Sequence, residues 1–273
     1  MRTRAISGLL YVAILLLLAT RGGSAWTALV SLLCLLAVHE ALALARACGA
    51  DAHRPVALAG ALAMPVAWQV GGPPALVPAL VLVVLAAGID QIRRRPEARR
   101  LVDWLATIAL PVAIAMPLAH LVGLRQLSWP HPQAAGPAWL LVVLGLVWAN
   151  DSAAYLAGRA FGRRPFFASI SPKKTWEGAV AGMLACGLLG AGLPRLAGAG
   201  FSLTAWQGLW IALVVALAGT TGDLMESVMK RQAGVKDSGT LMPGHGGILD
   251  RVDSLIWVAP VAFYLIAWLT GGA

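Results

Sequence analysis

Long stretches without a charged side chain recur along this sequence, and they limit its possible folds more than any other feature. These stretches cover residues 55–89, 104–124, 126–150, 178–194, 196–222 and 254–273. A helix that crosses the hydrocarbon core of a bilayer needs about 20 consecutive, mostly apolar residues. The stretches therefore predict membrane-spanning helices, with lipid as the main solvent of the chain.

The composition leads to the same conclusion. Hydrophobic residues make up 59% of the 273 residues and charged residues 12%, whereas soluble domains have about 25% charged residues. So few polar groups cannot cover a soluble globular surface, and the high hydrophobicity excludes intrinsic disorder. Cys34, Cys48 and Cys186 form no CxxC pair, so neither a disulfide framework nor a zinc site is expected.

We predict an all-α, polytopic integral membrane helical bundle of about nine transmembrane helices, forming a single domain over residues 1–273. The predicted spans are approximately 5–20, 25–45, 56–71, 74–90, 101–123, 137–158, 175–194, 205–226 and 250–270. The apolar run after Met1-Arg-Thr-Arg also resembles a signal peptide. Arg21 and the many spans that follow favour a retained first helix instead.

The basic residues predict the orientation of these helices. With the N-terminus in the cytoplasm and the C-terminus outside, 18 of the 21 Lys and Arg residues lie on the cytoplasmic side, and the outer side has Arg21, Arg125 and Arg195. Positive residues favour cytoplasmic loops, so we expect a multi-pass protein of the inner (plasma) membrane. The net charge of +9 is then largely an orientation signal and an attraction to anionic lipid. No nucleic-acid partner is expected.

The remaining charges concentrate in the second half of the chain. All four lysines lie between residues 173 and 236, and seven of the twelve acidic residues lie between 151 and 253. We therefore interpret residues 1–145 mainly as scaffold helices and residues 146–273 as the catalytic portion, with its site on the cytoplasmic side.

One face of the eighth predicted span carries a group of polar residues. Asp223, Glu226, Ser227 and Lys230 follow one another at spacings of i, i+3, i+4 and i+7, which places them on one side of a helix. Carboxylates at the end of a membrane helix are costly and indicate function. A salt bridge between Glu226 and Lys230 is the structural alternative, and it leaves Asp223 unexplained.

The last predicted span begins with a second group. Asp250 and Asp253 share a helical face, and if the two helix ends approach each other, Asp223 and Asp250 present oxygens to one point, which suits Mg²⁺. Gly246 and Gly247 permit close backbone approach and offer free N–H groups ahead of a helix N-terminus, an arrangement that binds anions. Positive charge around this site comes from Lys230, Arg231, Lys236 and Arg251.

A third group is expected on the same side of the membrane. Asn150 and Asp151 end the apolar part of the sixth span, and Lys173 and Lys174 precede the seventh, whose N-cap is either Ser171 or Thr175. The lysine pair is equally typical of a positive-inside loop. Carboxylates beside cations on one side of the membrane are what phosphoryl-transfer chemistry needs.

The segment from Ser227 to Asp253 closely resembles the C-terminal motif of the phosphatidate cytidylyltransferases (CDP-diacylglycerol synthases). It reads Ser227-Val-Met-Lys230-Arg231-x4-Lys236-Asp237-Ser-Gly239-x2-Met242-Pro243-Gly-His245-Gly246-Gly247-Ile-Leu-Asp250-Arg251-Val-Asp253. Met242 is a conservative departure from the family pattern. The segments 150–162 and 171–178 also resemble this family, so the resemblance covers roughly residues 150–260.

The resemblance implies transfer of a cytidylyl group from CTP to phosphatidate, in a bilayer, with Mg²⁺ held by Asp223 and Asp250 and a second, monovalent cation left open. It implies a homodimer. The catalytic residues that it implies are Asp223, Ser227, Lys230, Asp250, Arg251 and Asp253. The implied substrate-binding residues are Asn150, Asp151, Lys173, Lys174, Arg231, Lys236, Asp237, His245, Gly246 and Gly247.

Two other functions stay open at this point. A CTP-dependent transferase acting on an isoprenoid or ether lipid would use the same motif. An ion-coupled transporter would use Asn150, Asp151, Asp223 and Glu226 as intramembrane ligands. No inverted repeat is visible, and the charges gather at one membrane face instead of the midplane, which speaks against a transporter.

Overall fold

The computed structural model of the chain is almost entirely helical over the residues that it describes, which are 2–94, 100–127, 135–196, 203–241 and 246–270. The helices are α1 (Arg2–Arg21), α2 (Gly23–Ala47), α3 (Arg54–Gly71), α4 (Leu76–Arg93), α5 (Leu101–Leu110), α6 (Met116–Gln126), α7 (Ala135–Phe161), α8 (Trp176–Leu196), α9 (Ala205–Gln232) and α10 (Leu249–Thr270). A 3₁₀ turn at Pro73–Ala75 leads into α4, and a π-helical turn at Pro111–Ala115 joins α5 to α6. The predicted all-α, polytopic membrane fold is confirmed.

Seven of the described helical segments are long and apolar enough to cross a membrane. They are Gly23–Ala47, Pro73–Arg93, Leu101–Gln126, Pro137–Phe161, Trp176–Arg195, Ala205–Gln232 and Leu249–Thr270. The first and third predicted spans coincide with α1 and α3, which are helical but lie outside this set. The total of nine spans and the orientation of the termini therefore stay predictions.

A short antiparallel hairpin between α7 and α8 was not predicted from the sequence. Its strands are β1 (Pro165–Phe167) and β2 (Ser171–Thr175). Thr175 then caps α8, because its Oγ1 accepts a hydrogen bond from the N–H of Gly178 at 3.2 Å. Of the two cap candidates in the sequence, Thr175 therefore has this role.

Glu177 fastens the hairpin to the first turn of α8. Its Oε2 accepts hydrogen bonds from the backbone N–H groups of Arg163 at 3.1 Å and Arg164 at 3.2 Å. Trp176 packs edge-on against Phe166, with ring centroids 4.4 Å apart. These contacts hold β2, and with it the lysine pair, close to the start of α8.

The chain divides into two compact units. Unit 1 comprises Met1–Gly123 and Met229–Val252, and unit 2 comprises Leu124–Val228 and Asp253–Ala273. The motif segment 229–252 thus belongs with the first 123 residues, whereas the sequence interpretation grouped it with the residues after 145. A single domain over the whole chain stays a prediction.

Unit 1 packs α2 and α3 against the helices that follow them. Trp26 is fully buried, and its indole N–H donates to the carbonyl oxygen of Leu121 at 3.0 Å. Gly60 of α3 lies so close to Val83 and Pro111 that a Cβ would come within 2.9 Å of a Val83 methyl carbon. In lipid, helices associate through such close packing and such hydrogen bonds, because apolar burial alone gives little.

Unit 2 relies on glycines that bring helix backbones together. Gly182 of α8 faces Asn150 of α7, and a Cβ there would lie 2.8 Å from the Asn150 backbone oxygen. Gly190 of α8 and Gly208 of α9 lie directly against each other. Gly222 of α9 packs on the backbone of Asp253 in α10. Small residues allow this approach between membrane helices, and it positions the polar side chains of the unit.

Candidate active site

Three carboxylates of unit 2 come together on α9 and α10. Asp223, Glu226 and Asp253 each offer one carboxylate oxygen, and these oxygens lie within 4.8 Å of one another. Glu226 is 4% exposed, whereas the side chain of Asp223 is 36% exposed. The carboxylate cluster (Asp223, Glu226 and Asp253) therefore has a buried side and an accessible side.

The donor set of the carboxylate cluster fits a hard divalent cation. All the ligand atoms are oxygens, and Mg²⁺ is held in proteins mainly by carboxylates, waters and substrate phosphates. Three carboxylates at this spacing repel one another, and the repulsion is strong in the low dielectric of a protein interior. A bound cation would offset that repulsion, so Asp223, Glu226 and Asp253 are the residues that could hold one.

Lys174 adds a positive charge to the carboxylate cluster. Its Nζ makes an ion pair with Asp223 Oδ2. Lys174 is half-buried, and its neighbour Lys173 is exposed. The two lysines differ in this way because successive side chains of a strand point to opposite faces.

Asn150 and Asp151 lie in the same unit, on α7. Asn150 is buried, Asp151 is exposed, and the amide of Asn150 donates to Asp151 Oδ1 at 3.3 Å. The close approach of Gly182 to Asn150 fixes the position of this pair. Asn150 can thus orient the Asp151 carboxylate, and the substrate-binding role of both residues stays a prediction.

Asp250 occupies the first turn of α10 in unit 1, where both its oxygens accept hydrogen bonds. Oδ1 accepts from Lys230 Nζ at 2.6 Å. Oδ2 accepts from the N–H of Ser238 at 2.9 Å, from Ser238 Oγ at 2.9 Å and from the N–H of Gly247 at 2.8 Å. The side chains of Lys230 and Asp250 are 11% and 7% exposed, so this is a buried, hydrogen-bonded ion pair.

The N–H groups at the start of α10 are already bonded, which corrects the expectation that Gly247 offers a free one. Gly247 donates to Asp250, while Ile248 and Leu249 donate to Glu40 of α2 at 3.0 and 2.9 Å. A helix N-terminus attracts anions, and here the carboxylates of Asp250 and Glu40 accept hydrogen bonds from its N–H groups. Gly246, with φ of 81°, has the left-handed backbone that favours glycine.

The other predicted residues lie on α9, on α10 or between these two helices in the sequence. Four of them are exposed: Arg231, Lys236, Asp237 and Arg251. Arg231 donates to the carbonyl oxygen of Val235 at 3.1 Å. Ser227 is buried on α9. His245 lies outside the described residues.

Sequence reasoning missed Glu40 and undervalued Glu226. Glu40 lies within an apolar helix, Gly23–Ala47, and an ionisable residue inside a membrane helix is by itself a sign of function. That signal was available in the sequence. Glu226 was not among the predicted metal ligands, and a salt bridge with Lys230 was its structural alternative, whereas the structure places it beside Asp223 and Asp253.

The fold is that of an integral membrane protein, and its helices carry a carboxylate cluster with a lysine paired to it. The model of the cytidylyltransferase family matches residues 2–269. The chain therefore belongs to the cytidylyltransferase family, a family of nucleotidyltransferases, and the resemblance seen in its motifs is confirmed.

Individual relatives agree with this assignment. A phosphatidate cytidylyltransferase of Synechocystis is 40% identical over 166 residues, which is 58% of this chain and 53% of the relative. One from Staphylococcus aureus is 39% identical over 145 residues, 53% of this chain and 55% of the relative. The uncharacterized protein YnbB of Escherichia coli is 40% identical over 169 residues, 60% and 52% of the two chains. The chain spans about half the length of the curated relatives it matches.

Proposed function

We propose that the protein transfers a cytidylyl group from CTP to phosphatidate, forming CDP-diacylglycerol and pyrophosphate. The observation that carries this proposal is the carboxylate cluster with Lys174 against it, in a chain of the cytidylyltransferase family. The relatives named phosphatidate cytidylyltransferase support a phospholipid as the acceptor. The apolar helices suit such a substrate, because its acyl chains stay in the bilayer.

The acceptor brings its own nucleophile to this reaction. The second pKa of a phosphate monoester is about 6, so phosphatidate is largely a dianion at pH 7 and needs no general base from the protein. One of its oxygens forms a bond to the α-phosphorus of CTP, and the bond from that phosphorus to the pyrophosphate oxygen breaks. The main obstacle is the repulsion between two anionic substrates, which positive charge in the site reduces.

Asp223, Glu226 and Asp253 would hold Mg²⁺ in this reaction. When bound, the ion offsets the negative charge that develops on pyrophosphate. The role of Asp250 as a magnesium ligand stays a prediction. Its carboxylate is bonded to Lys230, Ser238 and Gly247 in this structure. A second, monovalent cation also stays a prediction.

Cationic side chains would hold the substrate phosphates. Those that we assign to this role are Lys173, Lys174, Lys230, Arg231, Lys236 and Arg251. Ser227 would add a hydrogen bond to a phosphate. The positive-inside distribution of basic residues supports a site on the cytoplasmic side of the inner membrane, where CTP is available. A homodimer is the assembly that we propose.

A panel of lipid acceptors tests the proposed function. The protein, reconstituted in liposomes with Mg²⁺ and labelled CTP, should transfer label to diacyl phosphatidate, giving a lipid-extractable product and one pyrophosphate per turnover. Ether-linked phosphatidate and an isoprenyl phosphate are the competing acceptors in parallel reactions. Label on the isoprenyl phosphate alone would contradict the proposal, as would ion flux in liposomes without any transfer from CTP.

The two neighbouring lysines of β2 should differ in their kinetic effect. Lys173→Ala should raise the apparent KM for CTP or phosphatidate about tenfold with little change in kcat, because it removes one exposed cationic contact to phosphate. Lys174→Ala should also lower kcat, because Asp223 loses its ion-pair partner. Steady-state kinetics of both variants checks this. Equal effects of the two substitutions would contradict the distinction.

A further inference from the structure

We propose that Glu40 of α2 is a positioning residue of the cytidylyl-transfer site. It holds Ser238 and Gly239 on one side and Gly247, Ile248 and Leu249 on the other in the conformation that orients Asp250 against Lys230. This inference rests on the proposed function, since it gives a residue of the first helices a role in the same reaction. The sequence alone had placed those helices in the scaffold.

Both oxygens of the Glu40 carboxylate are used by the motif segment. Oε1 accepts a hydrogen bond from the N–H of Ile248 at 3.0 Å, and Oε2 accepts from the N–H of Leu249 at 2.9 Å. Oε2 also lies 2.9 Å from Ser238 Oγ, a hydroxyl donor. Glu40 is 4% exposed, so water does not compete for these bonds, and bonds to an ionised acceptor are about twice as strong as neutral ones.

The backbone at Gly239 and Gly247 leaves room for the Glu40 carboxylate. Gly239 and Gly247 lie so close to the Glu40 side chain that a Cβ on either residue would overlap with it. Only glycine therefore fits at these two positions while Glu40 keeps its place. The contact is thus built from both sides, by a buried acid and by two residues without side chains.

Ser238 links the Glu40 carboxylate to the Asp250 carboxylate. Its Oγ lies 2.9 Å from Glu40 Oε2 and 2.9 Å from Asp250 Oδ2. A hydroxyl carries one proton and can serve one acceptor fully at a time, so the two carboxylates share this donor. The N–H groups of Ser238 and Gly247 complete the bonds to Oδ2 and leave Oδ1 directed at Lys230 Nζ.

A carboxylate at the position of Glu40 costs free energy, and its bonds to the start of α10 offset that cost. A carboxylate in a membrane helix carries an insertion penalty. A local Ser, Thr or Asp N-cap could accept hydrogen bonds from the first N–H groups of α10 without that penalty. Glu40 instead reaches residues that follow it by 198 to 209 positions. Its effect is to tie α2 to the segment that holds the Lys230–Asp250 pair.

The test compares Glu40→Gln with Glu40→Asp and with a matched control. Gln keeps the shape but loses the charge and turns an NH₂ group toward backbone donors, so kcat at saturating CTP and phosphatidate should fall about 10- to 100-fold, with KM within about threefold. Glu40→Asp should restore part of kcat. Asp103→Asn is the control: it removes another carboxylate of unit 1 that is buried and accepts a backbone N–H bond, from Asp51 at 2.7 Å, and its kcat should stay within about twofold.

Hydrogen exchange supplies a readout that does not depend on turnover. Glu40→Gln should speed exchange of the amides in 238–241 and 246–250 while exchange in α3 and α4 stays as in the wild type, since the loss is local. Ser238→Ala, which removes the shared hydroxyl, should lower kcat about 3- to 10-fold and covers the case in which Glu40→Gln does not fold.

Two results would overturn the positioning role. One is wild-type kcat in folded Glu40→Gln or in Ser238→Ala. The other is unchanged exchange of the amides in 238–241 and 246–250 in folded Glu40→Gln. A wild-type protein that transfers no label from CTP would contradict the proposed function instead, and the exchange result would still decide whether Glu40 holds the segment.

Discussion

Asp223→Asn should abolish magnesium-dependent cytidylyl transfer, with kcat/KM lower by more than about 100-fold. Asp223 is a partly exposed member of the carboxylate cluster and the partner of Lys174. The amide keeps the size of the side chain but removes the negative charge that a divalent cation requires. Because Asp223 is 36% exposed, the substitution should leave the fold intact.

Labelled-CTP turnover over a magnesium titration is the measurement, together with thermal unfolding in detergent. Asp51→Asn is the matched control, since it removes one carboxylate at an exposed position that pairs with Arg46 at 2.9 Å. This control should keep the wild-type magnesium dependence. If Asp223→Asn showed wild-type turnover and the same magnesium midpoint, Asp223 could not be a ligand of the catalytic metal.

Asp250→Asn should lose both stability and activity, because it breaks a buried ion pair. The side chains of Lys230 and Asp250 are 11% and 7% exposed, and their charged atoms are 2.6 Å apart. Removing one partner of such a pair costs about 3–5 kcal/mol, since it leaves an uncompensated charge. The exposed Arg46–Asp51 pair is the matched comparison, because its side chains are 68% and 63% exposed and such pairs contribute about 0–1 kcal/mol.

A double variant separates the structural role of this pair from its chemical role. Lys230→Met combined with Asp250→Leu replaces both charges with apolar groups, an exchange that is often neutral for stability. The melting temperature should therefore recover in part, since the uncompensated charge is gone while the N–H groups of Ser238 and Gly247 still lose their acceptor. Transfer from labelled CTP should stay more than about 100-fold reduced because the phosphates lose a cation. Turnover that recovered together with stability would show that the pair serves the fold alone.

Most helices could be predicted from the sequence because apolar length is a local property. The predicted spans 25–45 and 250–270 agree closely with α2 (Gly23–Ala47) and α10 (Leu249–Thr270). The hairpin was missed because its strands have three and five residues, which is too short for an alternating pattern to be recognised. Contacts with α8 support the hairpin instead, such as the packing of Trp176 against Phe166 of β1.

The candidate site was predictable in its residue types and less so in its pairings. Spacing along one helix indicated Asp223 as a candidate site residue, and the motif indicated Asp250 and Asp253. Asp223 and Asp250 were expected to share a metal, whereas Asp223 is grouped with Glu226 and Asp253 in unit 2 and Asp250 is bonded to Lys230 in unit 1. The metal ligands themselves stay proposals.

The sequence by itself determined that this protein lies in lipid, that it is helical and to which family it belongs. Transfer of apolar residues into lipid and the order of motif residues are properties of the chain, whatever its packing. Only the tertiary structure decided which carboxylates face one another and which N–H groups at the start of α10 are already bonded. Those bonds join Glu40 to Ile248, 208 positions apart, and a hydrogen bond requires a separation of about 3 Å that only packed helices provide.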